Sequence, residues 1–323
     1  MILETVIACG LVYSVLSYTF RKWPEILYGR LPSNGINRAP ICFHISHRGG
    51  AGENLENTMT AFKHAKSVGT DMFELDCQMT QDGYVVVAHD NNLLRLCGED
   101  IDISSTFYAD LPPLLSTQRL DFNKKFQVRS RSADRKILLL EDLFAKFPSI
   151  PMNVDVKLNN SKLIEKVSQL IRNYRREHIT VIGNSAELTT RRLRMMNPDV
   201  PTLYTMKEVL KTIVLYLVGL LPFFPVYAHH FEIPMCSIFY ENFESFPDKA
   251  GTRLLRCVVK ILDYILTNEK LIAHLRRRGV PTYFFVLNKP DEWERAVRCG
   301  ASGIMTDFPE ELKRWMVERG LPR

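Results

Sequence analysis

The stretch "ISHRGGAGENLENTMTAF", residues 45–62, joins a short apolar run to a helix-like pattern through a turn rich in glycine. His47 and Arg48 stand where the apolar run ends, and glycines follow at once. Glycine adopts backbone conformations that other residues avoid, so it lets a chain turn tightly beside a ligand. The stretch therefore predicts a strand that ends in a binding turn, with Asn57 or Thr58 as the cap of the first helix.

Short β-rich runs alternate with helical patterns from residue 41 onward, which predicts a parallel sheet covered by helices. Nine runs qualify as strands: "ICFHISH", "DMFELDCQM", "YVVVAHD", "MNVDVKL", "HITVIGN", "TLYT", "HFEIPM", "TYFFVLN" and "SGIMTD". Their number favours an α/β fold of the (β/α)8 TIM-barrel type over an open doubly wound sheet. We expect the barrel domain to cover residues 41–318.

The sequence offers nine strands where a (β/α)8 barrel needs eight, and a hairpin explains the extra one. Residues 81–83, "QDG", are too short for a helical crossover, so residues 84–89 are expected to fold back as a hairpin. Residues 91–135 break the βα rhythm and carry Pro112 and Pro113, which predicts a loop insertion.

The N-terminus predicts a membrane anchor. Residues 5–20 carry no charge, and Arg21, Lys22 and Trp23 follow at once. No basic region precedes this stretch, so an uncleaved transmembrane helix over residues 1–23 is favoured over a signal peptide, with a buried helix as the alternative. The basic flank places the body in the cytosol, and we expect endoplasmic reticulum or perinuclear membranes.

Two further segments fit a membrane surface. Residues 212–228 are uncharged, but Pro222 and Pro225 leave too short a helix to span a bilayer. We therefore expect a hydrophobic segment at about residues 208–228 that is either buried or associated with the membrane. Residues 253–267 form a basic amphipathic pattern that fits a membrane surface and a barrel-covering helix equally well.

Composition limits the function classes. The 323 residues are 46% hydrophobic, enough for one large domain or two small ones, and the net charge is +6. The basic residues cluster at 124–136, 172–176, 191–194 and 276–278, which suits phospholipid or nucleic acid, or simply solvated helix faces. Nucleic-acid binding ranks low, because the clusters lack interleaved aromatic residues. The seven cysteines are scattered without paired spacing, as in a reducing compartment.

Carboxylates mark two of the predicted strands. Glu74 and Asp76 are two positions apart, so both point to the same face, where their charges repel unless a cation lies nearby. A hard divalent cation with oxygen ligands answers that need. Asp155 and Lys157 repeat this spacing on another strand and add a carboxylate and a positive charge.

Histidines complete the pattern. His47 and His89 each end an apolar run, where the active-site groups of such barrels collect. The sequence contains no zinc-ligand spacing, no GxGxxG and no P-loop, so redox-cofactor and nucleotide functions lack support.

Taken together, these motifs resemble the glycerophosphodiester phosphodiesterase family of metal-dependent (β/α)8 barrels. The matching motifs follow in order from residue 47 to residue 309: "HRG", "ENT", "ELD", "DG", "HD", "DVK", "LN", "TD" and Pro309. The N-terminal anchor, "GLLPFFP" and "FEIPM" resemble more narrowly the membrane-anchored animal members described as lysophospholipases D.

The resemblance implies a role for each matching residue. Metal ligands for Mg2+ or Ca2+ would be Glu74, Asp76 and Asp155. The general acid and base would be His47 and His89, and the phosphate would be held by Arg48 and Lys157. Two departures stand out: Asp155 occupies a position where many members have Glu, and "FFVLN" lacks the usual tryptophan, so Phe284 or Phe285 is expected to replace it as the apolar wall.

The resemblance also implies a substrate class. In the family, a free hydroxyl beside the phosphate attacks first and gives a cyclic phosphate that water opens. Lysophosphatidylcholine, lysophosphatidylethanolamine and N-acyl lysophosphatidylethanolamine have that hydroxyl and would give lysophosphatidic acid plus the head-group alcohol or an N-acylethanolamine. The alternatives are a phosphodiesterase for water-soluble glycerophosphodiesters and a non-catalytic membrane-anchored barrel.

Overall fold

The computed structural model describes residues 1–29, 43–121, 126–130, 132–242 and 250–321. Residues 41, 42, 122–125, 131 and 243–249 of the predicted domain, among them 124, 125 and 131 of the basic cluster, lie outside the described residues.

The helices are α1 (Ile2–Lys22), α2 (Glu25–Tyr28), α3 (Met59–Ser67), α4 (Leu94–Cys97), α5 (Leu140–Lys146), α6 (Ser161–Asn173), α7 (Glu187–Met196), α8 (Met206–Leu217), α9 (Cys236–Asn242), α10 (Ala250–Leu266), α11 (Glu269–Arg277), α12 (Pro290–Arg298) and α13 (Pro309–Glu318). The strands are β1 (His44–Ser46), β2 (Met72–Met79), β3 (Val85–Val87), β4 (Thr117–Arg119), β5 (Gln127–Arg129), β6 (Leu138–Leu139), β7 (Met152–Val156), β8 (Thr180–Gly183), β9 (Phe231–Pro234), β10 (Thr282–Phe285) and β11 (Gly303–Thr306).

Seven parallel strands form the barrel wall in the order β8, β7, β2, β1, β11, β10 and β9. The continuous ladder does not close. Across the gap, Thr202 makes an isolated parallel bridge with Ile182 of β8, and Leu203 makes another with His230, directly before β9. Residues 202 and 203, within the predicted strand "TLYT", therefore occupy the eighth position with two single bridges.

The predicted hairpin is present. Strand β3 pairs antiparallel with β2, in the register Cys77 to Val87, and stands outside the parallel wall. Sequence reasoning did not anticipate β6, which pairs antiparallel with β3, or the β4–β5 hairpin within residues 91–135.

Apolar residues from different barrel strands meet inside the wall. This interior cluster consists of Ile45, Met72, Val181, Leu203, Tyr283 and Met305. Two larger clusters pack the covering helices against the outside of the strands. Burial on both faces explains why the strands read as continuous apolar runs, as is typical of parallel sheets.

Helix α1 is the one helix, in the part of the chain that the structure describes, that is long and apolar enough to cross a membrane. Its side chains are exposed from residue 1 to residue 16, whereas its last turns contact the body. Ser17 Oγ donates to Gly219 O at 2.6 Å, and Tyr13 OH donates to Val218 O. The helix therefore projects from the barrel with only its C-terminal part docked.

The turn after β1 provides a stability test. Gly50 has φ +99°, and a Cβ there would lie 2.7 Å from Pro309 Cγ, whereas Gly83 has φ +86° and nothing within 4 Å. We expect Gly83→Ala to lower the free energy of unfolding by about 1–2 kcal/mol through backbone strain alone. Gly50→Ala should lower it further, because the methyl group also clashes with Pro309. Thermal or chemical unfolding in detergent measures both, and equal losses would contradict the contact.

Candidate active site

The predicted site residues line one cavity of about 480 Å³. They are His47, Arg48, Glu74, Asp76, His89, Asp155 and Lys157. Strands β1, β2 and β7 and the segment after β3 carry them towards one end of the barrel. Because parallel strands end on the same face of a barrel, residues far apart in sequence converge there.

The turn between β1 and α3 positions the first two of these residues. Arg48 has φ 51° and ψ 33°, a left-handed conformation that is uncommon for a residue with a side chain. Its backbone N–H donates to Glu74 Oε2 at 2.9 Å. Thr58 caps α3 by accepting from Ala61 N at 3.2 Å, so of the two predicted caps it is Thr58 that does so.

Both histidines are oriented by a carboxylate at Nδ1. His47 Nδ1 lies 2.6 Å from Asp307 Oδ1, and Asn288 donates to the other oxygen of Asp307 at 2.8 Å. His89 Nδ1 lies 2.6 Å from Asp90 Oδ1. A carboxylate at one ring nitrogen fixes the tautomer and turns the other nitrogen to the opposite side of the ring.

Arg48 lies in a buried network of carboxylates. Its Nη1 donates to Glu56 Oε1 at 3.1 Å and to Asp121 Oδ2 at 2.7 Å, and its Nε lies 3.3 Å from Asp76 Oδ2. Burial alone would raise the pKa of Glu56, but Arg48 and Arg95 lower it to about 2. Glu56 does not line the cavity, so the structure places it behind Arg48.

Asp121 was missed by sequence reasoning. It belongs to residues 91–135. Its carboxylate forms an ion pair with Arg48 and also lies 3.6 Å from His89 Nδ1 and 3.4 Å from Arg95 Nε. Nothing in the local sequence connects this position with Arg48, which lies 73 positions earlier. Only the fold brings an anion from this segment onto the predicted phosphate-binding and acid–base residues.

Lys157 stands between two of the predicted ligands. Its Nζ lies 2.7 Å from Asp76 Oδ1 and 2.6 Å from Asp155 Oδ2. Burial alone would lower the pKa of Lys157, but the two carboxylates raise it well above its ordinary value. Against burial, Lys157 and Arg48 likewise lower the pKa of Asp76.

Glu74 shows the charge problem that the sequence predicted. Burial, and then the neighbouring charge of Asp76, raise the pKa of Glu74 well above its ordinary value. A divalent cation beside both carboxylates would remove this repulsion, and an all-oxygen donor set suits Mg2+ or Ca2+. The donor chemistry of these residues therefore fits the predicted metal.

Two other groups of ligand-type residues are more tightly clustered. Among the described residues, one group consists of Glu53, His64 and Glu310, and the other of His89, Asp90 and Asp121. Within each group, one ligand atom from each residue lies within 4.8 Å of the others. The ligand atoms of the predicted set, Glu74, Asp76 and Asp155, are not all within 4.8 Å of one another. Its carboxylates instead contact Lys157 and the backbone of Arg48.

Glu232 on β9 is a second residue that sequence reasoning missed. It lines the cavity and accepts a hydrogen bond from Asn153 Nδ2 at 2.5 Å. Burial, and then the charge of Asp155, raise the pKa of Glu232 to about 7. A sequence signal existed, because "FEIPM" places one carboxylate in an otherwise apolar strand.

The same cavity has an apolar wall. Helices α8 and α10 and the end of β10 contribute Val209, Leu210, Ile213, Leu262, Leu266 and Phe285. Phe285 is thus the residue of the predicted pair that lines the cavity, whereas Phe284 is buried in the core. The cavity therefore has a charged end and an apolar wall.

Two further ionisable residues, Glu141 and His44, lie outside the cavity. Glu141 is in the first turn of α5 and accepts from Tyr174 OH at 3.2 Å, and it does not line the cavity. His44 is buried and does not line the cavity, and burial, then the charge of Lys313, lower its pKa to about 3.

This fold and this arrangement of residues define a phosphoric diester hydrolase on a TIM-barrel scaffold. The family model "Glycerophosphoryl diester phosphodiesterase family" matches residues 47–311, and the chain belongs to this family, as the sequence motifs predicted. The family depends on a divalent metal ion.

Particular relatives cover nearly the whole chain. The chain is 42% identical over 304 residues to "Lysophospholipase D GDPD1" of Rattus norvegicus, covering 94% of each chain. It is 34% identical over 311 residues to "Lysophospholipase D GDPD3" of Homo sapiens, covering 95% of this chain and 94% of the relative. A crystal structure of glycerophosphodiester phosphodiesterase from Thermotoga maritima matches the fold, with a TM-score of 0.57, 20% identity and coverage of 84% of this chain and 97% of that one.

The raised pKa of Glu232 predicts a dependence of stability on pH. Its folded-state pKa lies above the unfolded value, so its contribution to stability is present below pH 4.5 and is lost as the pH rises through about 7. In metal-free protein we expect Glu232→Gln to raise the free energy of unfolding at pH 8 by at most about 3 kcal/mol. The gain should shrink towards pH 5.

Unfolding curves at several pH values measure this effect. Glu318→Gln, at an exposed position at the end of α13, is the control and should change nothing. A Glu232→Gln variant that is less stable than the native protein at pH 8 would show that the charge is compensated in the folded state.

Proposed function

We propose that the protein is a membrane-anchored lysophospholipase D. The observation that carries this proposal is the single cavity whose charged end holds the predicted catalytic residues and whose wall is apolar. Lysophosphatidylcholine, lysophosphatidylethanolamine and N-acyl lysophosphatidylethanolamine match both parts, because each combines a phosphodiester with one long chain. The products are lysophosphatidic acid and the head-group alcohol or an N-acylethanolamine. The relatives named as lysophospholipases D support this proposal.

His47 and His89 act as the acid–base pair in this proposal. One imidazole takes the proton of the free hydroxyl beside the phosphate as that oxygen attacks phosphorus. The other gives a proton to the head-group oxygen as its bond to phosphorus breaks. Water then opens the cyclic phosphate with the proton transfers reversed. Diacyl lipids are not substrates, because they lack the attacking hydroxyl.

Cationic side chains orient the substrate. Arg48 and Lys157 hold the phosphate oxygens. To do so, Arg48 exchanges its contact with Asp121 for one with phosphate. Lys157 likewise exchanges its contacts with Asp76 and Asp155. Glu74, Asp76 and Asp155 would hold Mg2+ or Ca2+, and the bound ion supplies positive charge that offsets the developing negative charge at phosphorus.

The N-terminal helix and the segment after α8 form one membrane-inserted unit in this proposal. Tyr13 lies about 13 Å along the α1 axis from Lys22, at 1.5 Å per residue. The ring of Phe223 stacks on Tyr13 with centroids 6.5 Å apart and packs edge-on to Phe20 at 5.6 Å. A bilayer that contains α1 therefore also contains the loop around Phe223.

The proposal also covers the arrangement of the chain at the membrane. Residues 1–23 anchor the protein, residues 41–318 form the catalytic domain on the cytosolic side, and residues 208–228 associate with the membrane. Endoplasmic reticulum or perinuclear membranes are the proposed location. The soluble-substrate alternative is less favoured, because a glycerophosphodiester has no chain to contact the apolar wall.

Catalysis provides the first test. Purified protein in detergent should release choline from lysophosphatidylcholine with Mg2+ or Ca2+ and stop when EDTA is added. His89→Ala should lower kcat at least about 100-fold, the usual contribution of general acid–base catalysis. His178→Ala, at an exposed position, is the control. Full activity of the His89→Ala variant would refute the acid–base assignment.

The apolar wall provides a second test. Leu210 lines the cavity although its side chain is largely exposed, so a charge there should not unfold the protein. We expect Leu210→Glu to raise KM for lysophosphatidylcholine at least about tenfold, because the acyl chain would have to pack against a charge. Turnover of glycerophosphocholine should not change.

Leu188→Glu is the matched control, since Leu188 is exposed on α7 and does not line the cavity. If Leu210→Glu affects both substrates equally, the wall does not bind the acyl chain.

A further inference from the structure

A second cavity lies where the end of α1 meets α11 and the end of α12. Its volume is about 560 Å³, and its lining residues include one carboxylate, Glu269. The cationic side chains that line it are Arg21, Lys22, Lys270, Arg276, Arg277 and Arg298. We call this cavity the basic pocket. It shares no lining residue with the candidate active site.

The charges of the basic pocket are not balanced by ion pairs. Within the described ranges, none of its six cationic residues has a carboxylate oxygen within 4.0 Å. Two of them lie against aromatic rings instead. Arg21 is 5.6 Å from the centroid of Tyr216, and Lys22 is 4.7 Å from that of Trp23. Such contacts hold a cation in place without cancelling its charge.

A buried histidine, His274, lies beside the pocket. His274 Nδ1 lies 3.0 Å from Arg21 O and ties α11 to α1. Burial lowers the pKa of His274 to about 4, and the charges of Arg278, Arg21 and Arg277 act in the same direction. The hydrogen bond to the backbone of Arg21 opposes this shift. The six cations and single carboxylate that line the basic pocket leave an excess of positive charge that a bound anion would offset.

The place of the basic pocket in the membrane indicates which anion it receives. Arg21 and Lys22 end the apolar helix α1, so they lie at the level of the lipid head groups when α1 crosses a bilayer. We propose that the basic pocket binds the phosphate-bearing head group of an anionic membrane lipid. The proposal rests on the membrane orientation of α1 and on none of the catalytic assignments.

The chemistry of the pocket favours phosphate. Arginine presents a planar fork that donates two hydrogen bonds to adjacent phosphate oxygens, and four of the six cations are arginines. A lipid in this pocket would hold α11 and the docked end of α1 at the membrane surface. The mouth of the catalytic cavity, on α8 and α10, would then keep a fixed height above the bilayer.

The test uses the full-length protein in detergent micelles with fluorescent short-chain phosphatidic acid, a phosphomonoester that a diesterase does not cleave. A variant with Lys270→Ala, Arg276→Ala and Arg277→Ala should bind the probe at least about tenfold more weakly, because each basic residue near an anionic lipid contributes to binding. A variant with Lys162→Ala, Lys166→Ala and Arg172→Ala removes the same charge from the exposed face of α6 and should bind normally.

Each outcome is decisive. Unchanged binding by the pocket variant, or equal weakening in both variants, would overturn the proposal. Displacement of the probe by inorganic phosphate as effectively as by unlabelled phosphatidic acid would show that the ligand is free phosphate and not a lipid. If the triple variant unfolds, Arg277→Ala is tested instead and should weaken binding without changing turnover of glycerophosphocholine. Absence of catalysis together with normal lipid binding would refute the proposed function but not the lipid-binding site.

Discussion

The compensation of buried carboxylates by cations is the interaction on which the active-site end of the barrel depends. Glu74 and Asp76 extend from the same face of β2 and are both buried. Lys157 and the guanidinium of Arg48 contact Asp76, and the same two charges act on Glu74, which also accepts a hydrogen bond from the backbone N–H of Arg48. Isolated charges cannot remain in such surroundings, so the ends of β1, β2 and β7 must converge with both signs of charge present. The contacts that join these strand ends therefore also bring the site residues together.

Sequence reasoning recovers this part because periodicity and strand ends are local signals. Two residues on a strand share a face, and the strands of a TIM barrel end on one side, so "ELD" and "DVK" already place their carboxylates together. The hairpin of β3 was predictable for the same reason, since the "QDG" turn is too short for a helix. The resemblance to a family then added roles that spacing alone does not give.

The rest depends on contacts between distant segments. Asp121 reaches Arg48 from residues with no strand or helix periodicity, and Arg21 meets Arg277 only because α1 docks beside α11. Glu232 is different, because its strand was predicted but one carboxylate in an apolar run has no distinctive meaning until Asn153 and the cavity are known. Local patterns specify elements and faces, whereas a site completed by a loop or by a docked helix follows from tertiary packing.

We propose that the carboxylates on β2 and β7 hold the divalent cation, and this claim can be tested directly. Its most direct measurement is the rise in Tm that Ca2+ or Mg2+ causes in metal-free protein, compared between Glu74→Gln, Asp155→Asn and Glu53→Gln variants. A cation that binds only the folded state raises Tm. The account predicts that Glu74→Gln and Asp155→Asn abolish the rise and that Glu53→Gln, in the cluster with His64 and Glu310, retains it. A rise that survives both active-site substitutions and disappears with Glu53→Gln would contradict the account.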